Sequence, residues 1–258
     1  MIIDRASWGR LRVTGSDRVR FLQGLTTINV ELLGDDGAHA WGAILNPKGR
    51  VLSVIDIARA GDALIISCET SLAEATRALL ERYAVMDDVV FEPITGPAHQ
   101  VWSSVADVWR APIVEGAGAG AIAETEPEAE RLRIRAGFMR YGVDVDDDHF
   151  PFETPLVNFL DYQKGCYVGQ EPVFRVHAQG NAAKALRLLV IEGSSPIAAG
   201  AAIDHPAKSG AGKVTSSVVD GDRVLALGYL HRSAWEPGGT VQTDGRAAVV
   251  HALPMDAA

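Results

Sequence analysis

Apolar residues return every third position at Val19, Leu22 and Leu25, which predicts a helix over residues 16–25 with one buried stripe. Ser16 stands where a side chain can accept from the open N–H groups of the first turn, and Asp17 suits the positive end of the dipole. The pattern then changes to strands over residues 38–45, 51–58 and 63–68. Asn46-Pro47-Lys48-Gly49 has the residues of a tight turn between the first two, and Gly61-Asp62 separates the second from the third. Ser71 is expected to cap a helix through Tyr83 that presents Leu72, Ala75, Leu79 and Tyr83 on one face. Residues 89–94 and 100–105 read as two more strands.

Residues 116–121 alternate glycine and alanine, yet the next helix starts only at Pro127, a residue favoured at the first helical position. A phosphate-binding loop must lead straight into its helix, so this stretch reads as a flexible connection. A helix over 128–137, ended by Gly137, is followed by an ordered but irregular loop over 141–159, rich in Asp and Pro. From Lys184 onward short strands alternate with Gly-rich turns, and 214–219, 223–231 and 239–251 fit a small antiparallel barrel. The expected class is α+β: antiparallel sheets with helices on one side over residues 1–183, and a C-terminal antiparallel β-barrel over 184–258.

Composition narrows the function classes. Of the 258 residues, 47% are hydrophobic and 22% charged, an ordinary globular balance with ample length for a core. The formal charge of −9 repels phosphate backbones, and no Lys/Arg run makes a nucleic-acid stripe, so no nucleic-acid partner is expected. No apolar run is long enough to span a bilayer, and the opening Met1-Ile2-Ile3-Asp4-Arg5 lacks the pattern of a secretory signal. Two distant cysteines, Cys68 and Cys166, make no disulfide framework and no zinc or cluster spacing. A cytoplasmic location with no membrane partner and no resident metal is the expectation.

One segment stands apart: Lys164-Gly165-Cys166-Tyr167-Val168-Gly169-Gln170-Glu171, followed by Arg175. Two glycines bracket a cysteine on a tight bend, and Gln170, Glu171 and Pro172 fit the first turn of a helix running towards His177. A thiol ahead of a helix N-terminus, with Lys164 two residues away, sits in a potential that favours thiolate. That makes Cys166 a candidate nucleophile, redox-sensitive thiol or transient metal ligand. A free cysteine is also commonly a small buried hydrophobe.

The segment, with Arg175 and Gly180, resembles the signature of the YgfZ family, Lys-Gly-Cys-Tyr-x-Gly-Gln-Glu followed by an arginine. Phe21-Leu22-Gln23-Gly24-Leu25-Thr26-Thr27, the hairpin at Asn46 to Arg50, the stretch from Arg133 to Gly142 and the triplets Val214-Thr215-Ser216 and Leu227-Gly228-Tyr229 are similar to that family's other segments. The resemblance spans nearly the whole chain. It implies the fold of the glycine cleavage T-protein, a ring-like arrangement with residues 1–183 in two subdomains, in which tetrahydrofolate occupies the central opening. It further implies a motif cysteine required for assembling or repairing iron–sulfur enzymes, and iron–sulfur client or assembly proteins as partners. On this basis Cys166 and Lys164 are the candidate catalytic residues. Gly165, Tyr167, Gly169, Gln170, Glu171, Arg175, Tyr141 and Arg135 are the candidate folate contacts. Arg175 offers a planar fork for a carboxylate, and Tyr141 and Trp41 offer flat rings to a pterin.

Two departures separate the chain from the transferases. Where these carry a paired Asp-Asp after the hairpin, the alignment on Gly49 puts Ser53 and Val54, and a serine cannot hold the negative charge of a carboxylate. Asp56 is three residues on and falls on the opposite strand face from Ser53. Arg135 replaces a glutamate and offers donors only, suiting an anionic group such as the glutamyl tail. Aminomethyl transfer or demethylation by a T-protein-type enzyme is therefore the second reading, and a non-catalytic binding scaffold the third.

Overall fold

The structure, a computed structural model, describes residues 1–180, 182–206 and 208–255. Asn181, just ahead of the expected barrel, and residues 207 and 256–258 of that barrel segment lie outside the described residues.

The first half builds two antiparallel sheets. β1 (Ile2–Asp4) is followed by β2 (Gly9–Thr14), α1 (Arg18–Leu25), β3 (His39–Leu45), β4 (Val51–Ala60) and β5 (Ala63–Cys68). Then come α2 (Ala73–Tyr83), β6 (Val90–Pro93), β7 (Ala98–Val101), α3 (Asp107–Arg110) and β8 (Val114–Glu115). One sheet has five strands in the order β3-β4-β5-β2-β6, the other three in the order β1-β7-β8. The β3–β4 turn closes as its residues demand. Asn46 Oδ1 accepts from the Lys48 and Arg50 amides at 2.9 and 3.1 Å, and Gly49 takes φ +78°. β3 and β4 are covered on both faces. Ile44, Ile55 and Ile57 pack with Leu22 and Leu25 of α1, while Trp41, Ala43 and Val54 join a core with Trp8, Trp109 and Phe138.

α4 (Pro127–Ala136) starts on its proline and ends on Gly137 at φ +65°, as read from the sequence. The loop after it is ordered by short 3₁₀ turns at Pro151–Glu153 and Pro155–Phe159, and α5 (Gln170–Gln179) follows. β9 (Lys184–Glu192), β10 (Ala202–His205), β11 (Lys208–Asp220), β12 (Arg223–His231), β13 (Thr240–Thr243) and β14 (Arg246–His251) close into an antiparallel barrel. Its interior is filled by Leu189, Ile191, Ile203, Val214, Val224, Val241 and Val250. The α+β class with a C-terminal antiparallel barrel is what the chain adopts. Among the described residues, no helix is long and apolar enough to cross a membrane.

Three local expectations are met differently in the structure. Ser16 does not cap α1: its hydroxyl and amide both donate to Asp88 Oδ2, at 2.8 and 2.9 Å, and Asp17 takes the N-cap position. α2 begins after a 3₁₀ turn at Thr70–Leu72, which rotates the buried face to Leu72, Thr76 and Leu80 and leaves Ala75 and Tyr83 exposed. The strand expected at 100–105 is β7 and ends at Val101, because the amides of Ser103 and Ser104 turn to Asp107 Oδ2.

α4 is fastened to the barrel through one buried cation. Arg133 donates to Asp144 Oδ2 at 2.7 Å, to both oxygens of Glu130 and to the Phe138 carbonyl. Asp144 Oδ1 in turn accepts from the hydroxyls of Thr215 and Ser216 on β11. Burial opposes the guanidinium's charge, but Asp144 and Glu130 outweigh it and raise its pKa above the ordinary value. Arg133→Leu strands these acceptors and is expected to lower unfolding free energy by about 3–5 kcal/mol in a urea titration.

Candidate functional site

The segment around Cys166 is a short bend whose neighbours are almost all committed. Lys164 is buried, and its ammonium donates to the Gln23 carbonyl at 2.6 Å and to the Thr26 carbonyl, the open end of α1. The Tyr167 ring lies 4.9 Å from that nitrogen. Gln23 works in both directions. Its Nε2 donates to the Lys164 carbonyl at 2.8 Å and to Asn29 Oδ1, and its Oε1 accepts from the Val30 amide at 2.7 Å. Asn29 continues the chain of bonds to Asp161 Oδ2 at 2.6 Å, and the Val168 amide donates to the Gly24 carbonyl. The Phe21 to Thr27 segment and the cysteine segment are thus one hydrogen-bonded unit.

The glycines have separate uses. Gly165 takes φ +89° with open space where a Cβ would go. Gly169 takes φ +81°, caps α5, and a Cβ there would lie 2.4 Å from the Asn46 carbonyl oxygen and 2.9 Å from Leu45 Cβ. Gly49 returns the contact, its Cβ position 3.1 Å from the Gly169 carbonyl oxygen. Backbone meets backbone where the β3–β4 turn touches the start of α5. Gln170 closes the bend: its Nε2 donates to the Gly165 carbonyl at 3.1 Å, and its Oε1 accepts from the Tyr167 amide. Cys166 is left exposed at the tip.

The remaining predicted residues lie apart from this bend. Glu171 and Arg175 form an exposed pair across one turn of α5, at 2.8 Å. Tyr141 is wedged between the two cores, its hydroxyl on the Val51 carbonyl and its amide on Glu69. Arg135 donates to Asp220 Oδ2 at 2.7 Å, at the tip of the β11–β12 hairpin, so its guanidinium is spent on the barrel. Trp41 is buried, with Trp109 and Phe138 edge-on to it at 5.6 and 5.0 Å, and offers no open platform.

Sequence reasoning placed Asp56 on the face away from Ser53 but gave it no partner. Ser53 accepts from Thr76 Oγ1 at 2.9 Å on the α2 side. Asp56 Oδ1 is 2.6 Å from His39 Nδ1, and His39 Nε2 is 2.8 Å from the Arg110 carbonyl. With an acceptor on each side, the ring can satisfy both only if one extra proton is held between it and Asp56. Burial raises the pKa of Asp56 despite the pull of His39. Burial also works against charge on His39, yet Asp56 brings its pKa above the ordinary value. A cavity of about 310 Å³ opens beside this pair, lined by Asn29, Leu32, His39, Trp41, Phe159 and Asp161 among others. A shallower one of about 500 Å³ lies over residues 158–163 and His177. A larger one, about 970 Å³, sits between the loop at Asp146 to Glu153 and the barrel, and the cysteine bend does not line it.

No family model matches the chain. The tRNA-modifying protein YgfZ of Yersinia pestis (strain Pestoides F) is 26% identical to it, over 77% of this chain and 73% of that protein. The tRNA-modifying protein YgfZ of Hamiltonella defensa is 39% identical over 82 residues, 32% of this chain and 24% of that protein. Among solved structures, aminomethyltransferase T of the glycine cleavage system from Bartonella henselae aligns with a TM-score of 0.81 at 19% identity, covering 98% of this chain and 85% of that one. The likeness is one of fold.

Two outcomes follow from the bend. Gly169→Ala adds a clash with Asn46 to about 1–3 kcal/mol of left-handed strain, whereas Gly165→Ala carries the strain alone, so thermal melting should drop further for the first. Burial brings the Lys164 pKa down to about 8, against the raising pull of Asp161 and Glu31. The unfolded chain therefore binds more protons between about pH 8 and the ordinary lysine value near 10.4. The penalty for the buried charge is present in full below that window and fades as pH rises through it. Stability of the native chain relative to Lys164→Met should rise across the window in denaturant titrations.

Proposed function

We propose that this chain, a relative of the YgfZ proteins with the fold of the glycine cleavage aminomethyltransferase, binds tetrahydrofolate and uses Cys166 to support assembly or repair of iron–sulfur clusters in client enzymes. The observation that carries the reading is the exposed thiol at the tip of a bend anchored on either side by Lys164 and Gln170. Such a bend offers its sulfur to another protein without reordering.

The residues fit a flat heterocycle. The cavity beside β3 falls at the lower end of small-molecule sites, about 300–1,000 Å³, and Trp41 and Phe159 line it. The Trp41 indole N–H is buried with no acceptor among the described residues, an unpaired donor in the wall on this side of the sheet. When bound, tetrahydrofolate supplies one-carbon carrier chemistry. This chain's own residues would hold and orient it and exclude water from its edge.

The relatives' name concerns tRNA. A chain of net charge −9 would serve the enzymes that modify tRNA, in the cytoplasm, rather than grip the tRNA itself. Aminomethyl transfer is disfavoured because Ser53 is buried against Thr76 and a serine cannot hold the negative charge of a carboxylate. Formation of 5,10-methylenetetrahydrofolate from a methylamine donor would reverse that judgement.

Cys166→Ala should keep its melting temperature and its folate-induced change in tryptophan fluorescence, yet fail to restore iron–sulfur enzyme activity in a strain lacking the protein. Full restoration removes the thiol from the function. A flat titration of the native chain with tetrahydrofolate removes the folate and leaves the scaffold reading.

A further inference from the structure

The cations of this chain are unevenly divided. It has five lysines and nineteen arginines, and the cavity of about 970 Å³ beside the barrel is lined by three of those lysines, Lys184, Lys208 and Lys213, and by no arginine. The strand register explains the gathering. Lys184 of β9 stands directly opposite His231 of β12, and Lys213 of β11 stands opposite Tyr229, two residues before His231. Opposite residues have Cβ atoms about 4.5–5.5 Å apart and alternate residues share a face, so these four side chains leave the barrel together. Lys184 Nζ lies 4.8 Å from the Tyr229 ring centre. The acids of the opposite wall do not neutralise the group. Asp146 Oδ1 is taken by His149 Nδ1 at 2.5 Å and by the Asp148 amide at 3.0 Å, and Glu153 Oε2 accepts from the Phe150 amide at 3.0 Å. Lys184 Nζ is 3.8 Å from Glu153 Oε2, beyond hydrogen-bond reach. Lys208 and Lys213 form no ion pair among the described residues. Partial burial, Lys208 and Arg232 each lower the pKa of His231, which marks the potential there as positive.

A positive cleft on a chain of net charge −9 concentrates anions. The choice of cation narrows their class. Elsewhere the chain sets the planar fork of arginine against carboxylates, as Arg133 meets Asp144 and Arg135 meets Asp220. Lysine presents a point charge on a flexible stem, which suits a tetrahedral group with oxygens on several sides. Val143, Ala199, Ala202 and Val214 add apolar wall, and the volume is at the upper end of small-molecule sites. We propose that this cavity binds a small molecule bearing a phosphate or diphosphate group. Lys184 and Lys213 hold the phosphate beside His231, Lys208 adds to the field, and the apolar wall takes the uncharged part. A polynucleotide fits less well, since it would bring many phosphates against an acidic chain whose unpaired lysines are confined to one cleft. The site goes beyond the folate and thiol reading: no residue of the Cys166 bend lines this cavity, nor does Trp41.

Calorimetric titration of the full chain with inorganic pyrophosphate, ADP and citrate at matched ionic strength tests this. Pyrophosphate or ADP should bind at least about tenfold more tightly than citrate. Lys213→Ala should weaken that binding at least about tenfold, the loss of one charge-assisted hydrogen bond. Lys48→Ala removes the same charge outside the cavity and should leave the affinity unchanged. Thermal melting checks that each variant folds, and the comparison of ligands on the native chain needs no variant. Tighter binding of ADP than of pyrophosphate assigns the site to phosphate esters, and the reverse assigns it to inorganic diphosphate. Binding of neither, citrate binding as tightly as the better of the two, or an equal loss in Lys48→Ala overturns the proposal. A short single-stranded RNA that binds more tightly than ADP overturns it in favour of a nucleic-acid surface.

Discussion

The contact on which the site depends is between two backbones. Gly169 lies against the Asn46 carbonyl and Gly49 against the Gly169 carbonyl, so the β3–β4 turn and the start of α5 approach as only glycines allow. That approach fixes where α5 begins, and with it the direction in which the Cys166 bend leaves the body. Lys164 fixes the other end by closing the carbonyls of α1. Three segments far apart in sequence, at Phe21 to Thr27, Asn46 to Arg50 and Lys164 to Gln170, are therefore one mechanical unit. Their joint occurrence in the chain has a physical reason beyond resemblance.

Local signals were legible where local chemistry decides. Pro127 and Gly137 bound α4, and β5 and β12 fall on the residues their patterns indicate, because caps, turns and strand runs act over a few positions. Two of the failures share one cause, a partner distant in sequence. Ser16 is drawn to Asp88, and Thr76 turns inward to meet Ser53, which no periodicity of α2 can reveal. The candidate site divides in the same way. The glycine-flanked bend and the helix after it were readable, whereas Lys164 finds its acceptor 138 residues upstream and Arg135 its acceptor 85 residues downstream. His39 and Asp56 carried a signal in retrospect: a histidine and an acid on adjacent strands of one hairpin, two positions out of register.

An acidic chain need not be acidic inside. Arg133 is held by Asp144 and Glu130, and Arg5 is enclosed by Trp8, Trp102 and Gln100 with Glu124 at its edge. Each of these buried cations has its partners, which is the condition for keeping it at all. They join segments that the sheets do not: Arg133 and Asp144 connect α4 to β11, and Arg5 connects β1 to the loop before α4. The frame is rigid by this means, and an exposed cysteine on it is an exception.

The cavity and the thiol bend are not independent features. Asn29 and Asp161 line the cavity and bond to each other, and Asn29 also accepts from Gln23, whose same nitrogen holds the Lys164 carbonyl. Two residues of the cavity wall therefore belong to the bonded chain supporting the bend. Asp161 is besides joined to the Gln163 amide, one residue before Lys164. The walls of the cavity and the bend that presents Cys166 thus belong to one hydrogen-bonded network.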